Sequence, residues 1–125
     1  MARRSWPGVA LAVAVLVSVA CGSSSSDTSD AGGSSCVSAP SCPTTNVPSY
    51  QNEIAPIIQV ACAQCHGPDG SAGFDESTYA DVHGQFGSML SQVALCQMPP
   101  VNGPQLTDAQ RVALTAWLKC GAPDN

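Results

Sequence analysis

The chain has 125 residues and a formal charge of −5, with four basic residues against nine acidic ones. That balance argues against a nucleic-acid binder and against electrostatic adhesion to an anionic lipid surface, and it favours a protein partner with a basic docking patch. Seven cysteines in so short a chain are rare in the cytosol without a metal or cofactor and fit an oxidising compartment.

Arg3 and Arg4 precede an apolar run from Val9 to Ala20, twelve residues long. A membrane-spanning helix needs about twenty, so residues 1–20 read as a signal peptide rather than an anchor. The small residues of Ser18-Val19-Ala20-Cys21 resemble a bacterial lipobox, in which the cysteine is lipidated and becomes the new N-terminus. Ser18 stands where leucine is usual, and the alternative is an ordinary cleavable signal with an unrelated cysteine. The twin-arginine pattern is incomplete. The expectation is an exported chain, lipid-anchored at Cys21 to the bacterial cell envelope, facing the periplasm or the outer surface. Beyond Cys21 only Arg111 and Lys119 are basic against the nine acids, a formal charge of −7.

Residues 21–48 hold the Ser23–Ser26 run, several glycines and Pro40, Pro43 and Pro48. They read as a flexible tether, because such composition lacks the apolar surface to fold. Residues 49–125 read as one all-α domain. Ile54, Ile57, Ile58 and Ala61 recur at helical spacing, with Pro56 in the first turn of the main helix and Tyr50–Ala55 as a less regular lead-in. A second helical segment, about Ser77 to Cys96, carries Tyr79, Val82, Phe86, Met89, Leu90 and Val93, divided by Gly84 and Gly87. In the third, Thr107-Asp108-Ala109-Gln110 is a capping box. Ala109, Val112, Ala113, Ala116 and Trp117 form its stripe, Leu114 and Leu118 widen it, and Gly121 followed by Pro123 ends it.

Between the first two helical segments stands Cys62-Ala63-Gln64-Cys65-His66. A Cys-x-x-Cys-His run is the attachment site of c-type haem. The two thiols add across the porphyrin vinyl groups, and His66 follows as the proximal axial ligand. A zinc site would need two more ligands at similar spacing, and a thioredoxin-like motif would need a βαβ context; neither is present. Gly67-Pro68-Asp69-Gly70 and Gly73 form a turn that lets the backbone run close to the haem face, with a carbonyl nearby to orient the His66 ring. For the sixth ligand, Met98 in Cys96-Gln97-Met98-Pro99-Pro100 is preferred, since a proline-stiffened loop can present a thioether. Met89 reads as core filler and His83 as a solvated turn residue. Lipid at Cys21 and haem at Cys62 and Cys65 leave four cysteines. These are expected to pair as Cys96–Cys120, stapling the Met98 loop to the last helix, and Cys36–Cys42 within the tether.

The order Cys62-x-x-Cys65-His66, Met98-Pro99-Pro100, Leu106-Thr107-x-x-Gln110, Trp117-Leu118 and Gly121-Ala122-Pro123 resembles a short bacterial class I cytochrome c from about Tyr50 to Pro123. The resemblance implies first and last helices crossing beside one covalent haem c, His66 and Met98 as the axial pair, and single-electron transfer with a redox partner rather than enzymatic turnover. The family often places a glycine and an aromatic in its first helix; here Ile54 and Ile58 must meet Trp117 instead. Cys96 and Cys120 also lack counterparts in the common pattern. Two rivals remain. A haem peroxidase or gas sensor would need a labile sixth position and a distal group, for which His83 and Arg111 are the free candidates. A haem-free protein would use Cys62 and Cys65 for disulfide exchange.

Overall fold

Ser49 opens the helical part of the chain. Its hydroxyl accepts from the Asn52 N–H at 3.4 Å, while its own N–H donates to the Glu53 carboxylate at 3.0 Å. This reciprocal cap starts one π-helical turn, Tyr50–Ile54. The turn runs into α1 (Ala55–Ala61), where Pro56 occupies the first turn and its missing N–H leaves nothing unbonded. A single turn, α2 (Ala63–His66), follows Cys62. Then come α3 (Tyr79–Gly84), α4 (Phe86–Ala94) and α5 (Asp108–Lys119). The computed structural model describes residues 36–125, and no strand occurs among them. The described part is all-α. The expected signal peptide, Cys21 and the serine run lie outside the described residues.

Helix ends obey local chemistry. Gln85 separates α3 from α4, so Gly84 marks the break. Gly87 does not: it lies inside α4. At the end of α4, Gln97 N–H bonds the Gln92 carbonyl at 2.9 Å and Cys96 N–H the Val93 carbonyl at 3.2 Å. This is the Schellman pattern, here with Cys96 rather than glycine in the left-handed position at φ 54°. The reciprocal Thr107–Gln110 capping box starts α5, with bonds of 2.9 and 3.2 Å. Its end is a second Schellman turn, with Gly121 at φ 81° and Ala122 N–H on the Trp117 carbonyl at 3.1 Å.

The core joins Ile54, Ile58, Val82, Leu114, Trp117 and Leu118, all essentially without solvent contact. The last helix lies against α4 and against the π-helical turn. Tyr50 stacks on Trp117 at 5.6 Å between ring centroids, and Tyr79 meets Tyr50 edge-on at 4.9 Å. An aromatic thus does enter the helix crossing, from the lead-in turn beside Ile54. The indole N–H of Trp117 donates to the Pro123 carbonyl at 2.9 Å, and the Tyr79 hydroxyl to Ala122 at 2.9 Å.

The α5 stripe divides differently from its sequence reading. Leu114, Trp117 and Leu118 make the core, whereas Ala109 and Val112 are exposed. Ala109, Val112, Ala113 and Ala116 instead form one wall of a shallow groove whose other wall is Ala39, Pro40, Pro43 and Pro48. That second wall corrects the tether boundary. Residues 36–48 are pinned to α5, with the buried Ala39 donating its N–H to the Thr115 hydroxyl at 2.8 Å. The Lys119 ammonium donates to the Ala39 carbonyl and, at 3.2 Å, to that of Pro40.

Both expected disulfide pairings are also corrected. Cys36 bonds Cys96, and Cys42 bonds Cys120. The physical reason is the groove. Segment 36–42 runs along α5, so one of its cysteines reaches the end of α4 and the other the end of α5. Proximity in sequence between Cys36 and Cys42 decides nothing once the chain between them is bonded to a helix.

Candidate functional site

The Cys62–His66 motif continues the helical path of α1. Cys62 N–H bonds the Ile58 carbonyl at 2.8 Å, and the Cys62 carbonyl accepts from Cys65 at 3.0 Å and His66 at 2.9 Å. The backbone then folds back over its own motif: Ala72 N–H reaches the Cys65 carbonyl at 3.1 Å and Glu76 N–H the His66 carbonyl at 2.6 Å. A Cβ on Gly70 would collide with that same Cys65 carbonyl, and one on Gly67 would stand 2.6 Å from the Ala63 carbonyl. These glycines are therefore required by close backbone approach within the motif itself.

Around this turn the side chains form an unusual electrostatic setting. Phe74 stands 4.4 Å from the His66 ring, centroid to centroid. The His66 side chain is buried, and its Nδ1 has no hydrogen-bond partner. Burial lowers its pKa and keeps it neutral, opposed in part by the Phe74 backbone. That backbone group lies just past Gly73, beyond the turn from which the orienting carbonyl was expected. Cys62 is a free thiol, pushed up to about 12 first by burial and then by the Glu76 carboxylate. Cys65 carries a disulfide, which must be reduced before that sulfur can do anything else. Among the described residues, no group of three or more His, Cys, Asp or Glu is gathered for a metal ion.

Glu76 is a residue that sequence reasoning missed. It follows Phe74 and Asp75 in a loop, and only 5% of it is exposed. Burial raises its carboxyl from 4.5 to about 7. An acid raised on folding stabilises the fold below its unfolded value and loses that contribution as the pH climbs through its folded value. The cofactor-free protein should thus lose on the order of 3 kcal/mol of stability between pH 4.5 and 7. Glu76→Gln should flatten that slope in urea titrations run across this range; an unchanged slope would remove the acid from the account.

Met98 lies apart from the motif, in the loop between α4 and α5. Its side chain is partly buried against the core cluster that also receives Cys62, so both flank one apolar mass. The loop is well tied. Gln105 donates its amide to the Pro100 carbonyl at 2.7 Å and to Gly103 at 2.9 Å, and Met98 N–H bonds the Gln92 carbonyl at 3.1 Å. Arg111, weighed above as a free distal group, is buried and engaged: its Nη1 donates to the carbonyls of Val93 at 2.8 Å and Met98 at 3.1 Å. Met89 is a core residue. His83 is exposed, in the last turn of α3 rather than in a loop, with its ring between Tyr79 and Phe86.

The donor set suits a haem iron in two respects. A neutral buried imidazole with an unpartnered nitrogen is the form that binds a metal, and a thioether is a soft donor of a kind that haem iron accepts. In comparisons with known proteins, no protein family, no curated protein and no solved structure matches this chain.

Proposed function

We propose that residues 49–125 form a single-haem c-type cytochrome domain of class I type, an electron carrier rather than an enzyme. Cys62 and Cys65 would hold haem c through thioethers, and His66 and Met98 would be the axial ligands. The observation that carries this reading is His66: a histidine that the Cys-x-x-Cys-His spacing assigns to iron is also buried, neutral and left with an unpartnered Nδ1. Haem bound there supplies reversible one-electron exchange, at a potential raised by a thioether relative to a second imidazole.

The chain's own residues do the rest. Cys62 and Cys65 fix the group covalently once both are thiols. His66 sets its orientation, Phe74 covers one side of that ring, and the apolar cluster beneath Cys62 and Met98 excludes water. With His66 and Met98 both holding the iron, no position would be left for a substrate, as a carrier requires. Arg111, spent on two backbone carbonyls, does not serve a peroxidase or a gas sensor. The acidic surface is suited to a redox partner with a basic patch.

The test is an optical spectrum of the denatured protein in alkaline pyridine, after expression with a c-type maturation system. Covalent haem should be seen in the wild type and fall sharply in Cys62→Ser with Cys65→Ser. A double variant that keeps full, acid-extractable haem sinks the proposal. We further propose export and lipid anchoring at Cys21. Wild type should partition with detergent and Cys21→Ser with water; identical aqueous partitioning would leave a plain secreted carrier.

A further inference from the structure

We infer that Arg111 is the positioning residue that holds Met98 in place for the iron, an inference that rests on the haem reading above. Only 7% of Arg111 is exposed. A buried guanidinium needs partners, and among the described residues no carboxylate supplies one. Its partners among the described residues are two carbonyls, 2.8 Å away on Val93 and 3.1 Å away on Met98.

Both partners matter for the loop. The Val93 carbonyl belongs to the last turn of α4, where carbonyl dipoles point out of the helix and favour a cation. It also receives the Cys96 N–H that closes the turn. The Met98 carbonyl belongs to the proposed ligand itself. One planar group, rooted in the first half of α5, thus clamps the point where the loop leaves α4 and the residue that must face the iron. Charge-assisted bonds of this kind are the strong ones, and the two hydrogens of the single Nη1 can serve both carbonyls at once. An arginine at this place lets the Met98 main chain resist displacement while its side chain remains free to reach a metal.

The consequence is an equilibrium between a seated and a lifted loop. An added ligand can reach the iron only in the lifted state, so its apparent affinity rises in proportion to the lifted fraction. In the haem-loaded protein, Arg111→Met should raise the apparent affinity of the ferric form for added imidazole about tenfold or more, given the strength of hydrogen bonds to a charged group. It should weaken the long-wavelength sulfur-to-ferric-iron band and speed hydrogen exchange at the Gln97 and Met98 amides. Haem content and helical circular dichroism should stay at wild-type levels. Arg111→Lys, which keeps the charge on a shorter chain without the planar placement of Nη1, should recover part of the loss.

An Arg111→Met protein with wild-type imidazole affinity and wild-type exchange at these amides would overturn the inference. So would a general loss of helicity that lysine does not repair, because that marks plain unfolding. Met98→Ala separates this from the haem reading. If that variant binds imidazole no better than wild type, Met98 is not the ligand, and the ligation falls whatever Arg111 does.

Discussion

Replacing Cys36 and Cys96 together with serine should lower the stability of the cofactor-free protein by about 4 kcal/mol, the chain-entropy value for a bond spanning 60 residues. The Cys42–Cys120 bond spans 78 residues and should contribute a similar amount. Ordinary domains are stable by only about 5–15 kcal/mol, so removing both pairs should leave little or no folded protein at 37 °C. Urea unfolding of each double variant measures this directly. A loss below about 1 kcal/mol for either pair would mean that the unfolded chain is already restricted by other means. The first pair has a local effect as well. Cys96 occupies the left-handed cap of α4 at φ 54°, a conformation that costs a non-glycine residue roughly 1–2 kcal/mol. Serine there inherits the strain without the tie to Cys36. The double variant should therefore loosen the loop that carries Met98 before the helices melt, seen as early exchange of the Gln97 amide.

Met98→Ala should abolish the sulfur-to-ferric-iron band of the haem-loaded protein entirely and let carbon monoxide bind the ferrous form readily. Met89→Ala should do neither, because Met89 is enclosed in the core and its removal opens a cavity instead, costing about 2–5 kcal/mol. The pair is informative because the two losses fall on different measurements: spectrum for Met98, unfolding midpoint for Met89. The reverse pattern would move the ligand role to Met89. Carbon monoxide binding by the wild type as fast as by Met98→Ala would support a labile sixth position and the sensor alternative.

Much of the helical architecture was legible along the chain, since its causes are local. Pro56 and the Ile54–Ile58 spacing placed α1, the Thr107–Gln110 box started α5, and Gly121 stopped it. Each depends on residues within a few positions of one another. The Cys62–His66 motif is likewise a local pattern, a spacing carried by five consecutive residues, and the haem proposed from it rests on that spacing until the pyridine spectrum is taken. Gly87 was misread because a glycine without a left-handed φ or a close neighbour carries no signal that distinguishes a break from a tolerated position.

What the tertiary structure alone decided is everything that depends on which surfaces meet. Periodicity marks an apolar stripe on α5, but it cannot say that Leu114 and Trp117 take the core while Val112 faces a groove shared with Pro40 and Pro43. Composition makes 36–48 a tether, because its prolines and serines bury little by themselves; it is held by bonds to Thr115 and Lys119 and by two disulfides. Glu76 and Arg111 carry charges that ordinarily seek water, so no sequence rule marks them for burial, and only the packing around them shifts one and engages the other. Cysteine pairing follows the same logic. Four cysteines permit three pairings, and the choice was made by a chain segment lying along a helix, a long-range contact that leaves no trace in local sequence.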